Sequence, residues 1–359
     1  MPTLRIITFE SPGLINDGQT YKNIFENNGY TVYFYTLTKY NEKGDIKQKY
    51  SDINLFLEHI YFDNFIDIFP SKLNLFMPNH ELFISYKKLD NIDYILCKTK
   101  VALKMFKSIK KNMNHKYICF YTKFTTNISD RLRGKNFKKN NNIITHLAGK
   151  SSLKNTFILI YCWIKNNGFL DIDPDIELHV SCYRSCYNKM KINLKEYFNY
   201  DFKFKINNNI IRHKNIYLYV EPIPEKIYDY LIKRTNMAIC ISSGEGYGHY
   251  INEARYFETY ILSVNSEPMN ELVKENKNGT LIKDLDKYKD KKTEAYTDFE
   301  LYRVFPTIDG LRDKIIESIK NKNNLHIYGK KGRNMYNKDK KYFINKMNTI
   351  IQINIEKKL

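Results

Sequence analysis

Residues 244–254 read GEGYGHYINEA, which sets two carboxylates, Glu245 and Glu253, eight positions apart around a Gly-aromatic-Gly turn. The apolar run MAICIS (237–242) reads as a strand, so the turn carries the chain from a strand end into a helix opening near Gly248. Gly244, Gly246 and Gly248 lack a Cβ, and the backbone there can approach a ligand closely. A helix start presents unpaired amides and partial positive charge, which suits a phosphate. Carboxylates beside a phosphate repel it unless they accept hydrogen bonds from hydroxyl groups, as an acid does on the ribose in dinucleotide sites. The combination suits a nucleotide sugar, with Glu245 on the transferred sugar and Glu253 on the ribose. The plainer reading of Glu253 is a solvent-facing helix position.

Such a ligand also needs cations. In HLAGKSSLKNT (146–156), Gly149 and Lys150 follow the strand-like IITHLA, with Lys154 four residues on at the next helix start. Two ammonium groups there would neutralise a diphosphate leaving group; the plainer reading is ordinary surface charge. The fragment GKS is not a P-loop, because the position of the upstream glycine is Ile144. DIDPD (171–175) contains the D-x-D pattern that chelates a divalent ion, but it falls between a helix and a strand, where polar turn residues are expected anyway. Cys182 and Cys186 have no second pair at zinc spacing. No obligatory metal or other cofactor is expected.

The elements that must position these residues alternate in type. Strand-like LRIITF (4–9), TVYFYTL (31–37), NLFMPN (74–79), DYILC (93–97) and YICFYT (117–122) are separated by helical patterns over 18–29 and between DYILC and YICFYT. The second of these helices carries Val101, Ala102, Met105, Phe106 and Ile109 on one face. After the polar stretch 125–142 the alternation restarts with IITHLA (143–148), ELHVSC (177–182), NIYLYV (215–220), MAICIS and YILSVN (260–265), and it turns helical from Thr307. Short apolar strands joined by amphipathic helices imply parallel sheets covered on both faces. The expected organisation is an N-terminal domain over 1–130, a linker over 131–142, a second domain over 143–335, and a terminal helix over 336–359 crossing back to the first. A ligand held between two such doubly wound domains sits at the carboxyl ends of the strands.

Composition narrows the classes. The 359 residues are 43% hydrophobic and 27% charged, as in a folded chain with a core. MPTLRIITFE does not read as a signal peptide, and TFILIYCWI (156–164) falls far short of the roughly 20 residues that span a bilayer. A cytoplasmic location is expected. Cys97, Cys119, Cys162 and Cys240 lie in apolar runs, where free thiols behave as small hydrophobes. The net charge of +19 suits nucleic acid, an anionic membrane or phosphorylated ligands. No nucleic-acid-binding motif accompanies it, so nucleic acid is not expected as a partner. A basic surface permits peripheral docking on the cytosolic face of a membrane carrying a lipid-linked acceptor without requiring it.

GEGYGHYINEA resembles the E-x7-E segment of retaining glycosyltransferases of the GT-B fold, glycosyltransferase family 4. SVNSEPMNELVKENKNGTLI (263–282) resembles that family's next strand, turn, helix and Gly-containing strand, and AGKSSLKNT its GR...KG segment, with Lys150 in place of the usual Arg and a spacing to Lys154 shorter by one. SPGLINDGQTYKNIFENNGYTV resembles its first Gly-containing loop and helix, without the common Gly-Gly-x-Glu. FMPNHELF (76–83), YILCKTKVALKMF (94–106) and YTKFTTNISD (121–130) resemble segments of some of its members. The resemblance implies two Rossmann-like domains facing a cleft and transfer of a sugar from a nucleotide diphosphate, UDP or GDP, with retention and without a metal. The acceptor would be a hydroxyl of a glycan, lipid or protein. It places Glu245 on the donor sugar, Glu253 on the ribose, Gly246, Tyr247 and Gly248 on the sugar and phosphates, and Lys150 and Lys154 on the diphosphate. Gly13 would approach the diphosphate from the N-terminal domain, and Asn79 and Glu81 would face the other domain on the acceptor side, with His80 between them as a structural histidine. The competing reading is a non-catalytic glycan- or nucleic-acid-binding protein on the same scaffold.

Overall fold

The computed structural model describes residues 1–38, 47–60, 62–83, 87–134, 136–204, 207, 209–289 and 300–358. The chain divides into two compact units: Met1–Asn127 with Lys289–Leu301 and Lys338–Leu359, and Ile128–Tyr288 with Tyr302–Asn337.

Unit 1 is built on six strands, β1 (Thr3–Phe9), β2 (Thr31–Leu37), β3 (Ser51–Glu58), β4 (Ser71–Pro78), β5 (Tyr94–Cys97) and β6 (Ile118–Tyr121), in the order β2-β1-β3-β4-β5-β6. All their pairings are parallel. β3 and β5 are buried on both faces, so their side chains run apolar instead of alternating, as in a sheet covered by helices. One cover is α2 (Lys100–Met113), whose Val101, Ala102, Met105, Phe106 and Ile109 are buried as the sequence pattern predicts. Another helix, α1, spans Pro12–Asn27 and so begins six residues before the predicted start. Ser11 caps it by accepting from the Leu14 N–H, and proline at the first helical position loses no bond there. The chain's last segment also belongs here: Phe343 packs edge-on against Phe124 at 5.0 Å, and the Tyr94 hydroxyl donates to the Asn354 carbonyl at 3.0 Å.

Unit 2 contains β7 (Asn140–Gly149), β8 (Glu177–Cys182), β9 (Ile210–His213), β10 (Ile216–Tyr219), β11 (Thr235–Cys240), β12 (Tyr260–Val264) and β13 (Gly279–Ile282) in the order β13-β12-β11-β7-β8-β10-β9. Only β9 runs antiparallel, closing one edge against β10. The longer helices here are α3 (Thr156–Lys165), α4 (Arg184–Phe198), α5 (Glu225–Arg234), α6 (His249–Tyr256) and α7 (Ile308–Lys320), with a single turn at Met269–Leu272. In α3, Trp163 is fully buried with its N–H on the Asn215 side-chain oxygen at 3.1 Å. Residues from 131–142 are anchored in this unit, where Leu132 and Phe137 pack with Tyr256, Phe257 and Tyr336. A two-stranded sheet of β14 (Leu285–Lys289) and β15 (Tyr302–Pro306) precedes α7, and α8 (Leu325–Ile350) follows it, passing from unit 2 to unit 1 after Asn337. Strand order reverses between β7 and β11, and in an open parallel sheet the carboxyl ends on either side of that point border a natural ligand crevice.

Candidate active site

The two segments singled out in the sequence leave those two strands. β7 ends at Gly149, whose φ of 59° is left-handed, and its N–H donates to the Ser181 hydroxyl at 3.0 Å. The chain turns through Lys150 into a single helical turn at Ser152–Lys154 before α3. β11 ends at Cys240 and runs through Ser242–Gly248 into α6.

Hydrogen bonds onto backbone carbonyls, one from a backbone N–H and one from a side chain, lock the two turns together. Ser243 N–H donates to the Leu153 carbonyl at 2.7 Å, and the buried Asn155 amide donates to the Ile241 carbonyl at 2.8 Å. Asn155 itself sits at a left-handed φ of 55°, a conformation asparagine tolerates better than most residues. The consequence is that Lys154 faces the glutamate loop. Its ammonium forms an ion pair with Glu245 and lies 3.7 Å from the Tyr250 ring centroid. Glu245 also accepts from the Ser242 hydroxyl, which in turn pairs with the Tyr250 hydroxyl. With Ser242 donating its one proton to the carboxylate, Tyr250 must be the donor to Ser242. Both ion-pair partners are only about a tenth exposed (12% and 11% of the side chains), so the pair is shielded from bulk water.

Glu253 stands in the second turn of α6 and is half-buried. With Thr145, Leu147, Ile232, Cys240 and Tyr250 it lines a cavity of about 20 Å³, room for about one water. Burial raises its carboxyl above the ordinary value, while His249 and Lys154 pull it back. Glu253 and then burial push the Tyr228 phenol up, and the Cys240 thiol, raised by burial, also feels Lys154, Glu245 and Glu253. Lys154 and both glutamates thus share one locale at the end of β11. Among the described residues the Glu253 carboxylate makes no hydrogen bond or ion pair.

Gly248 opens α6 at φ 91°, and a Cβ there would press on Ile251 and Leu272 at 3.2 and 3.3 Å, so both backbone and space call for glycine. Tyr247 is buried, its ring edge-on to His249 at 5.6 Å, and Gly246 is buried beside it. Lys150 is exposed; its carbonyl accepts from the Cys186 thiol, and its ammonium makes no ion pair among the described residues. Of the D-x-D aspartates, Asp173 pairs with Lys322 at 2.5 Å and accepts from the Asp175 N–H.

The unit 1 positions form a separate group. Gly13 is exposed in the first turn of α1, with nothing within 4 Å of a would-be Cβ. Asn79 follows β4 and joins Glu58, to which its amide donates at 2.8 Å, with Lys98, whose ammonium donates to it at 2.5 Å. The buried Lys98 reaches Asp17 at 3.3 Å. Glu81 lies 3.8 Å from the buried His80. Glu58, Asn79 and Lys98 thus meet at the carboxyl ends of β3, β4 and β5, with Asp17 of α1 beside them.

Sequence reasoning missed Ser242, Tyr250, Asn155 and His146. His146, fully buried in β7, bonds the Ile239 carbonyl at 2.7 Å and the Thr156 hydroxyl at 3.0 Å, tying β7 to β11 and to the start of α3. Burial lowers its pKa to about 4, so it is neutral. Tyr250 lies within the quoted motif, one turn before Glu253, and its place was legible from helical spacing. Ser242, beside the motif, pairs with residues three and eight positions on, whereas Asn155 and His146 act through contacts between segments distant in sequence.

No protein-family model and no curated protein sequence matches the chain. Solved structures do. Sucrose-phosphate synthase from Thermosynechococcus elongatus superposes over 98% of both chains at a TM-score of 0.65 and 11% identity. The fold is GT-B. Anabaena HepE in complex with UDP and glucose is similar over 97% of this chain and 99% of that one (TM-score 0.57, 11% identity). So is the apo form of the lipopolysaccharide outer core galactosyltransferase WaaB, over 98% and 99% (0.56, 13%). Among the described residues no helix is long and apolar enough to cross a membrane.

Proposed function

We propose that this chain is a glycosyltransferase that moves a sugar from a nucleotide diphosphate to an acceptor hydroxyl, with retention at the anomeric carbon and without an obligatory metal. The observation that carries the reading is the convergence of Lys154, Glu245 and Glu253 on the carboxyl ends of β7 and β11, where strand order reverses. The GT-B fold, shared with proteins named as a galactosyltransferase and a sucrose-phosphate synthase, supports it.

In this reading Glu253 accepts from the ribose hydroxyls, and the Gly246–Gly248 backbone lies along the sugar and phosphates. Glu245 accepts from the donor sugar's hydroxyls. Lys154 spends one of its three N–H donors on Glu245, leaving two for the departing diphosphate, and exposed Lys150 adds a second cation. In this reading positioning and leaving-group stabilisation carry the rate, and a diphosphate oxygen takes the acceptor's proton. In unit 1, Gly13 is assigned to the diphosphate, and Asn79 and Glu81 to the acceptor, a glycan or lipid-linked hydroxyl.

Proton NMR of the full chain with UDP- and GDP-sugars tests this. One donor should release its nucleoside diphosphate equally well in EDTA and in magnesium, with the anomeric configuration kept in the first-formed product. Inversion, or a requirement for metal, would contradict the mechanism, and no consumption of any donor would favour a non-catalytic binding protein.

A further inference from the structure

β15 brings a cation to the glutamate loop that no local pattern announces. Val304 is held through both backbone groups: its N–H donates to the Ser243 carbonyl at 3.1 Å, and its carbonyl accepts from the Asn155 amide at 3.1 Å. These are the two turns that frame Lys154 and Glu245. The adjacent residue, Arg303, is thereby laid against Gly244, the residue before Glu245. A Cβ on Gly244 would lie 3.5 Å from Arg303 Cζ and 3.7 Å from Cδ, and nearer still to Nη1. The guanidinium fills the space a side chain at 244 would need, which gives Gly244 a packing reason to be glycine.

Arginine in this place is chemically specific. Its planar fork of five N–H donors matches the paired oxygens of a phosphate or a carboxylate, which a lysine meets only as a point charge. Resting on the donor-site reading above, we propose that Arg303 is a donor-binding residue that recognises an anionic oxygen pair on the nucleotide sugar, supplied by the diphosphate or by a carboxylate on the transferred sugar. Since Glu245, the residue after Gly244, holds the sugar in that reading, Arg303 also sets which sugars are accepted. Gly244 is part of the same device: a methyl group there displaces the guanidinium.

Calorimetric titration separates the possibilities. The full chain, Arg303→Gln, Arg303→Lys and Gly244→Ala are titrated with UDP and GDP as free diphosphates, as UDP-glucose and GDP-mannose, and as UDP-glucuronate and GDP-mannuronate. Arg312→Gln, at an exposed position on α7, is the charge control. Loss of charge-assisted hydrogen bonds should weaken binding by about 10- to 100-fold in Arg303→Gln, with Arg303→Lys intermediate. Equal weakening of all ligands of the preferred base assigns the diphosphate, and weakening confined to the uronate assigns the sugar carboxylate. If Arg303→Gln does not fold, Arg303→Lys and Gly244→Ala carry the same comparison. Unchanged affinities in the folded variants, with the parent still binding nucleotide, would overturn the role of Arg303 alone. A parent that binds none of the ligands would overturn the donor site itself.

Discussion

Removing the Lys154 ammonium should damage stability and turnover by separable amounts. Lys154 and Glu245 are paired with side chains 12% and 11% exposed, and the ammonium also lies over the Tyr250 ring. In Lys154→Met, Glu245 keeps only the Ser242 hydroxyl for its shielded charge. Breaking such a pair from one side costs about 3 kcal/mol, to which a lost cation–π contact adds about 1 kcal/mol. Lys154→Met/Glu245→Gln has no stranded charge and should recover most of the loss in urea unfolding. Turnover should behave differently. Loss of a cation on the leaving group costs about 3 kcal/mol of transition-state stabilisation, or about 100- to 1,000-fold in kcat. That loss should appear on the Glu245→Gln background as fully as on the parent, because the two residues act on different parts of the donor. If the double variant turns over as fast as Glu245→Gln alone, Lys154 only holds Glu245, and the leaving-group role is wrong.

Other outcomes follow from single residues. Glu253→Gln should weaken nucleotide binding by about 10-fold or more, and it should also flatten the pH profile of stability. Burial raises the Glu253 carboxyl above its ordinary 4.5, so between that value and its raised one the folded chain holds a proton the unfolded chain has released, and stability falls as pH rises through the window. Chemical unfolding of parent and variant across that range checks it. His146 works in the opposite direction: between 6.5 and about 4 the unfolded chain takes up a proton that the folded chain refuses, so stability falls as pH falls, by about 3 kcal/mol at the acid end. His146→Gln should lose this slope, measured by urea midpoints from pH 7 to 4. Gly248→Ala should cost about 1–3 kcal/mol in unfolding free energy and weaken donor binding, since it strains a left-handed helix start and presses on Ile251 and Leu272. Calorimetry beside unfolding separates the two effects.

Much of the fold was legible because its strands are short apolar runs and its helices are amphipathic. α2 shows its buried face at i, i+1, i+4, i+5 and i+8 without ambiguity. Other elements were hidden for identifiable reasons. β3, SDINLFLE, begins with polar Ser51 and Asp52, which blur its start. α4 buries Cys186, Tyr187, Met190 and Leu194, which have helical spacing but are mostly weak hydrophobes set among lysines. α1 started early because the Ser11–Pro12 cap was passed over in favour of the later apolar periodicity. In the site, Glu245, Glu253 and Lys154 were legible because each follows a strand end at motif spacing. Asn155, His146 and Arg303 were not, because their roles depend on partners 86, 93 and 59 positions away, at Ile241, Ile239 and Gly244, and no local pattern encodes those contacts.

The most direct test of the donor pocket is thermal unfolding of the full chain with UDP, GDP, TDP and their sugars, with and without magnesium, beside Glu253→Ala. A ligand bound only by the folded chain at 100 times its Kd adds about 2.7 kcal/mol of stability. The expected result is a metal-independent rise in Tm for one nucleotide, reduced in Glu253→Ala. No rise with any nucleotide or sugar nucleotide, or a rise that Glu253→Ala leaves untouched, would contradict a donor site built on Glu253 at the ends of β7 and β11.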